Sequence, residues 1–154
     1  MTAVLSVGSN LGDRLAHLRL AVEVLQPQVI SPVYQTVPVG GVEQGDFLNV
    51  VLLCDLSAEA AWELAREAER RAGRERQVRW GPRTLDVDVV NAPPPVPVGL
   101  AVPHPRAHER AFVLAPWLDV DPGATLPGHG PVTALLRTVG LEGVRRCDDL
   151  VLQP

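Results

Sequence analysis

At 154 residues, with 46% apolar and 21% charged residues, the chain has the composition of a soluble globular protein, and a single domain over residues 1–154 is expected. A formal net charge of −4, with no aromatic-rich basic strand, argues against a nucleic-acid surface. No uninterrupted run of about 18 apolar residues is present to span a membrane, and the N-terminal stretch lacks the basic and apolar blocks of a signal peptide, so a cytoplasmic protein is expected. Residues 2–7 read as a buried strand closed by Gly8-Ser9-Asn10. Leu11, Leu15, Leu18, Val22 and Leu25 then recur at helical spacing, and the helix stops before Pro27. Residues 29–37 form a second strand, with Ser31-Pro32 predicting an edge or a bulge. A loop with Pro38, Gly40, Gly41 and Gly45 leads to a third strand over 47–56. Ser57 caps a helix to Ala72 whose apolar stripe is Ala61, Leu64, Ala65, Ala68 and Ala72, with Glu67 and Arg71 paired on its wet face. Gly73 ends it and opens an arginine-rich loop, followed by a strand over 84–90.

This order, strand–helix–strand–strand–helix–strand, predicts an α+β fold of the ferredoxin-like βαββαβ kind, with helices on one sheet face. Beyond it come a proline-rich loop over 92–97, a short helix over 110–118, a helix over 131–139 and a terminal strand over 144–152. Cys54 and Cys147 lack C-x-x-C spacing and read as reduced structural thiols.

The strand over 84–90 carries the most informative pattern. Asp86 and Asp88 are two residues apart, so on a strand they share one face, while Leu85, Val87 and Val89 take the other. Two like charges that close are costly to bury unless cations bridge them, and hard divalent ions take carboxylates together with phosphate oxygens. A metal–polyphosphate site is one reading, and a solvated strand face with two ordinary acids is the other. The surroundings bear on the choice. Six of the fourteen arginines (Arg70, Arg71, Arg74, Arg76, Arg79 and Arg83) lie within fourteen residues, and guanidinium groups match phosphate oxygens bidentately. The chain has no lysine, which removes a Walker-A phosphate loop outright.

The run Arg79-Trp80-Gly81-Pro82-Arg83-Thr84-Leu85-Asp86-Val87-Asp88-Val89-Val90 resembles the signature of the 6-hydroxymethyl-7,8-dihydropterin pyrophosphokinases of folate biosynthesis. Further segments are similar to the same family in the same order: Val7-Gly8-Ser9-Asn10-Leu11-Gly12-Asp13, Tyr34-Gln35-Thr36 with Asp46-Phe47-Leu48-Asn49, and Val102-Pro103-His104 with Arg110-Ala111-Phe112. The resemblance implies an enzyme that transfers pyrophosphate from ATP to the pterin hydroxymethyl group, leaving AMP, with two Mg²⁺ ions. Its partners would be the small molecules ATP and hydroxymethyldihydropterin, with no nucleic acid and no membrane, and a monomer is expected.

Residue by residue, the resemblance implies Asp86 and Asp88 as metal ligands and Arg74 and Arg83 as catalytic arginines. The arginine-rich loop is a residue shorter than in some members, which leaves open whether Arg74 or Arg76 meets the transferred phosphate. For the pterin it implies a sandwich of Phe47 and Phe112, the amide of Asn49, Thr36, Val37 and Val39 as walls, and Trp80 as a cover. For ATP it nominates Glu69, Arg76, Arg83, Val89, His104 and Arg110. Arg66 and Pro105 depart from the family's usual side chains at positions near the nucleotide. Without these flanking matches, Phe47 and Phe112 would read as ordinary core residues. A D-x-D pair also occurs in metal-dependent glycosyltransferases and nucleases, and the sheet order occurs in RNA-binding modules; neither accounts for the Phe47/Asn49 and Arg110/Phe112 segments.

Overall fold

A computed structural model of the chain describes residues 2–37, 46–73 and 84–152. Strand β1 (Ala3–Ser9) is buried along its length and runs antiparallel to β4 (Phe47–Cys54) on one side and β5 (Asp86–Asn91) on the other. Between β1 and β4 lie helix α1 (Arg14–Leu25) and the short strands β2 (Val29–Ile30) and β3 (Tyr34–Thr36). Helix α2 (Ala58–Arg71) joins β4 to β5. After β5 come a 3₁₀ turn (Ala107–Glu109), α3 (Ala111–Val120), the β6 (Thr125–Leu126) and β7 (Gly130–Pro131) pair, α4 (Val132–Val139) and β8 (Val144–Arg146). The main sheet runs β5–β1–β4–β3–β8, with β2 also on β4. The α+β class expected from the sequence is observed, with the expected second strand divided into β2 and β3 and an unforeseen β6/β7 pair between α3 and α4.

Local chemistry sets the boundaries. The Asp13 carboxylate accepts the Ala16 N–H at 3.1 Å and starts α1 there, leaving Leu11 outside the helix and exposed. Ser57 caps α2 through the Ala60 N–H at 3.1 Å, and Gly73, with φ of +73°, turns the chain away after the Ala72 cap. The strand expected over 29–37 is broken at Ser31-Pro32. Proline cannot donate to the ladder, and the Ser31 hydroxyl accepts the Val51 N–H at 2.8 Å in its neighbourhood. At the far end β8 is shorter than expected: Cys147 still donates to Val33 O at 2.8 Å, but Leu150 N–H then closes a turn onto Cys147 O.

The central strands are covered on both faces, so consecutive residues point into different cores. Leu5, Val50, Leu52, Val87 and Val89 pack against Leu18, Val22 and Leu25 of α1 and the alanine stripe of α2. Val4, Val51 and Val90, on the other face, meet Val113, Leu114 and Trp117 of α3 and Val132 of α4. This second layer covers only one end of its face. The other end carries Ser6, Gly8, Asn49, Asp86 and Asp88, and it is open. Tyr34 fastens the sheet to α3 by donating to Asp119 Oδ2 at 2.5 Å, with Arg146 3.7 Å from the same oxygen; burial and Asp119 together push its phenol well above the usual range. Cys54 is fully buried, and burial pushes its thiol up to about 12, so the structural thiol read from the sequence fits its setting. No described helix is long and apolar enough to cross a membrane.

Candidate active site

A cavity of about 1000 Å³ occupies the uncovered part of the sheet. Its floor follows from the pairing register. Asp86 faces Gly8 across β5 and β1, and Gly8 in turn faces Asn49 on β4. Asp88 faces Ser6, and Thr36 faces Phe47. Adjacent strands lie about 4.8 Å apart, so Asp86 and Asn49 are separated by roughly 10 Å across the floor. One end is therefore acidic and the other is an amide beside an aromatic ring.

The carboxylates stand on the same strand face, as two-residue spacing dictates, and both line the cavity while Val87 between them is fully buried. Arg110 Nη1 lies 3.6 Å from Asp88 Oδ2, and the same guanidinium sits 5.6 Å from the centre of the Phe112 ring. Arg110 thus connects the acidic end to the aromatic wall. No group of three or more His, Cys, Asp or Glu side chains able to hold a metal occurs among the described residues. A pair of hard carboxylates, with the rest of the shell left to phosphate oxygens and water, suits Mg²⁺ and not a closed zinc site.

His104 is tethered beside β5: its N–H donates to Val90 O at 2.8 Å, and its Nδ1 accepts the Arg106 N–H at 3.1 Å. Because a backbone N–H can only donate, the ring proton of the neutral imidazole sits on Nε2. Burial, then the nearby Arg110 charge, hold the His104 pKa below its ordinary value, against a smaller opposing pull from Asp86. The unfolded chain therefore binds this proton first as pH falls. The stability His104 contributes is present above about 6.5 and is lost as pH drops through the lowered folded value. Arg110→Ala is expected to raise the His104 pKa, read from the ring Cε1–H shift in an NMR titration. An unchanged midpoint would remove Arg110 as a cause.

At the opposite end, Asn49 Nδ2 donates to Thr36 Oγ1 at 2.7 Å in a buried contact, which turns Oδ1 toward Gly8. A Cβ built on Gly8 would stand 2.7 Å from that oxygen and 3.3 Å from Phe47 Cδ1, so only glycine leaves the floor open there. Phe47, Phe112 and Val37 border the same space, giving a flat ligand two rings and one oriented amide.

Of the residues nominated from sequence, Thr36, Val37, Phe47, Asn49, Asp86, Asp88, His104, Arg110 and Phe112 meet at this one cavity. Glu69 and Val89 do not line it: Glu69 accepts the Val87 N–H at 2.8 Å, and the Val89 side chain belongs to the α1/α2 core. Val39, Arg74, Arg76, Trp80 and Arg83 lie outside the described residues. The cavity also contains residues that were not nominated. Ser6 and Gly8 are the small positions alternating with Leu5 and Val7, a signal that could have placed them on this face had the strand been carried past residue 7. Arg106 and Glu109 come from the 3₁₀ turn, and Val139, Glu142 and Val144 from the α4–β8 connection. That last wall is set by long-range pairing, Val144 with Thr36 and Val37 N–H to Gly143 O at 2.9 Å, and no local pattern announces it.

A cavity with paired acids at one end and an aromatic, amide-bearing pocket at the other has the concave form and mixed lining of a small-molecule site on an α+β sheet. Residues 4–122 match the family of 7,8-dihydro-6-hydroxymethylpterin-pyrophosphokinases, and the chain belongs to that family. It is an enzyme of the transferase class, a pyrophosphokinase. Among similar proteins are the 2-amino-4-hydroxy-6-hydroxymethyldihydropteridine pyrophosphokinases of Mycobacterium tuberculosis (strain ATCC 25618 / H37Rv), 51% identical with 86% of this chain and 81% of the relative covered, and of Mycobacterium leprae (strain TN), 53% identical with 82% and 75% covered. The Bacillus subtilis (strain 168) protein of the same name is 41% identical, with 77% of each chain covered.

Proposed function

We propose that the enzyme transfers the terminal diphosphoryl unit of ATP to the hydroxymethyl oxygen of 6-hydroxymethyl-7,8-dihydropterin, giving AMP and the pterin diphosphate for folate biosynthesis. The hydroxyl oxygen bonds to the β-phosphorus, the bond from that phosphorus to the α,β-bridging oxygen breaks with its electrons going to AMP, and the hydroxyl proton is released. One observation carries the reading: the Asp86/Asp88 pair and the Phe47–Asn49–Phe112 pocket open into a single cavity. A heterocycle stacked between the two rings, its N–H edge on Asn49 Oδ1, would direct its hydroxymethyl arm along the floor past Gly8 toward the acids. Asp86 and Asp88 would hold Mg²⁺, two ions by the family resemblance, and the bound metal would neutralise charge on the phosphate chain.

The remaining residues take roles around that axis. Arg110 and the neutral Nε2–H of His104 would donate to phosphate or ribose oxygens of the nucleotide, while Val89, in the α1/α2 core, and Glu69, on α2, would support the nucleotide end of β5 from behind the strand. Arg74, Arg76 and Arg83 would bring further cations to the transferred group, and Val39 and Trp80 would complete the pterin enclosure. Residues 1–154 act on this reading as one domain and one monomer in the cytoplasm, with no nucleic-acid or membrane partner. The test is a product assay: with ATP, Mg²⁺ and the pterin alcohol, AMP should form in equal amount to pterin diphosphate, and omission of the pterin or chelation of Mg²⁺ should stop it. Release of ADP, or AMP formation indifferent to the pterin, would refute the assignment.

A further inference from the structure

Among the described residues, β5 is an edge strand, paired with β1 alone. Along an antiparallel edge, alternate residues turn both backbone polar groups outward. Val87 is such a residue, and both of its groups are taken up by side chains of α2. Its N–H donates to Glu69 Oε2 at 2.8 Å, and its C=O accepts from Arg66 Nη2. The two side chains sit one helical turn apart and pair with each other, Arg66 Nε lying 3.3 Å from Glu69 Oε1. The Glu69 side chain is only 5% exposed, whereas that of Arg66 is 40% exposed and rests over the Trp62 ring at 5.5 Å.

Burying a carboxylate is costly unless it is paired and hydrogen-bonded, and the Arg66 guanidinium and the Val87 N–H both serve that need among the described residues. The pair occupies the place a further strand would take, and it does so at one peptide only. Val87 is the residue between Asp86 and Asp88.

We propose that Arg66 and Glu69 form a clamp that grips the Val87 peptide and thereby sets the spacing and direction of the Asp86 and Asp88 carboxylates for metal–nucleotide binding. They are positioning residues, acting through the backbone, and the inference rests on the reading of Asp86 and Asp88 as the metal-holding pair. Glu69 thus serves the nucleotide from behind the strand, and Arg66, a departure from the family's usual residue, completes the grip that Glu69 begins. Partners of this kind, one layer behind the ligands, typically change metal affinity by about 10–100-fold when removed.

The experiment measures Mn²⁺ binding by electron paramagnetic resonance in the presence of a non-hydrolysable ATP analogue, alongside kcat, both KM values and the thermal midpoint. Glu69→Ala is expected to weaken Mn²⁺ binding by about tenfold and lower kcat, with the KM for the pterin unchanged. Glu69→Gln keeps an oxygen for the Val87 N–H and should lose less. Arg66→Ala, at a partly exposed position, should also weaken Mn²⁺ binding and carries the test should Glu69→Ala fail to fold. Mn²⁺ affinity equal to the parent's in Arg66→Ala and in folded Glu69→Ala, with only the KM for ATP raised, would overturn the clamp in favour of direct nucleotide contact. Asp86→Ala separates the two levels: undiminished Mn²⁺ binding in that variant removes the metal reading itself, and the clamp with it.

Discussion

Asp86→Ala is expected to lower kcat by at least on the order of 10³ while the protein stays folded, because each lost carboxylate removes charge-matched metal coordination from the phosphate end of the site. Both acids are partly exposed on an open floor, and each relieves repulsion on the other when removed, so the thermal midpoint should hold or rise slightly. Asp88→Ala should abolish turnover to a similar degree but disturb more around it. Its partner Arg110, 3.6 Å away, would lose a counter-charge and with it a restraint on the cation over Phe112. Steady-state kinetics with circular dichroism melts distinguishes loss of chemistry from loss of fold. Near-parental kcat in either variant would contradict the assigned role of the pair.

Gly8→Ala should act at the other end of the cavity. The new methyl carbon would sit 2.7 Å from Asn49 Oδ1 and 3.3 Å from Phe47 Cδ1. Gly8 is not in the left-handed backbone region, so the main chain accepts alanine and the strain falls on those two side chains. Asn49 is buried and held by Thr36, so making room means rotating it out of the 2.7 Å hydrogen bond that orients its oxygen. The cost to stability should be about 1–3 kcal/mol, as for other overpacked sites. The KM for the pterin should rise by about tenfold or more, equivalent to roughly 1.4 kcal/mol of binding, with the KM for ATP little changed. A larger effect on ATP than on the pterin would place the heterocycle elsewhere.

How far the sequence foretold these features depends on the range of the interactions involved. Asp86 and Asp88 were legible because a strand's two-residue period alone puts them on one face. The α2 helix was legible from its alanine stripe and from Ser57, both local signals. Leu11 misled: its spacing fits the α1 stripe, but the Asp13 cap fixes the helix start two residues later and leaves it in solvent. The break at Pro32 was foreseen as an irregularity, while the shortness of β8 was not: its pairing depends on β3 more than a hundred residues away, and a local turn from the Leu150 N–H to Cys147 O ends it. Glu69 is the clearest limit. Sequence similarity tied it to the nucleotide, but its hold on the Val87 peptide emerges only when α2 lies against the edge of β5.

The site borrows from nearly the whole length of the polypeptide: Ser6 and Gly8 from the first strand, Asp86 and Asp88 from the middle, Val144 from the last strand, which pairs at Thr36. During synthesis, then, the sheet's central strands exist well before its catalytic chamber has all its sides. Loss of the segment around Val144 would take one wall from the cavity while leaving most of the hydrophobic interior standing.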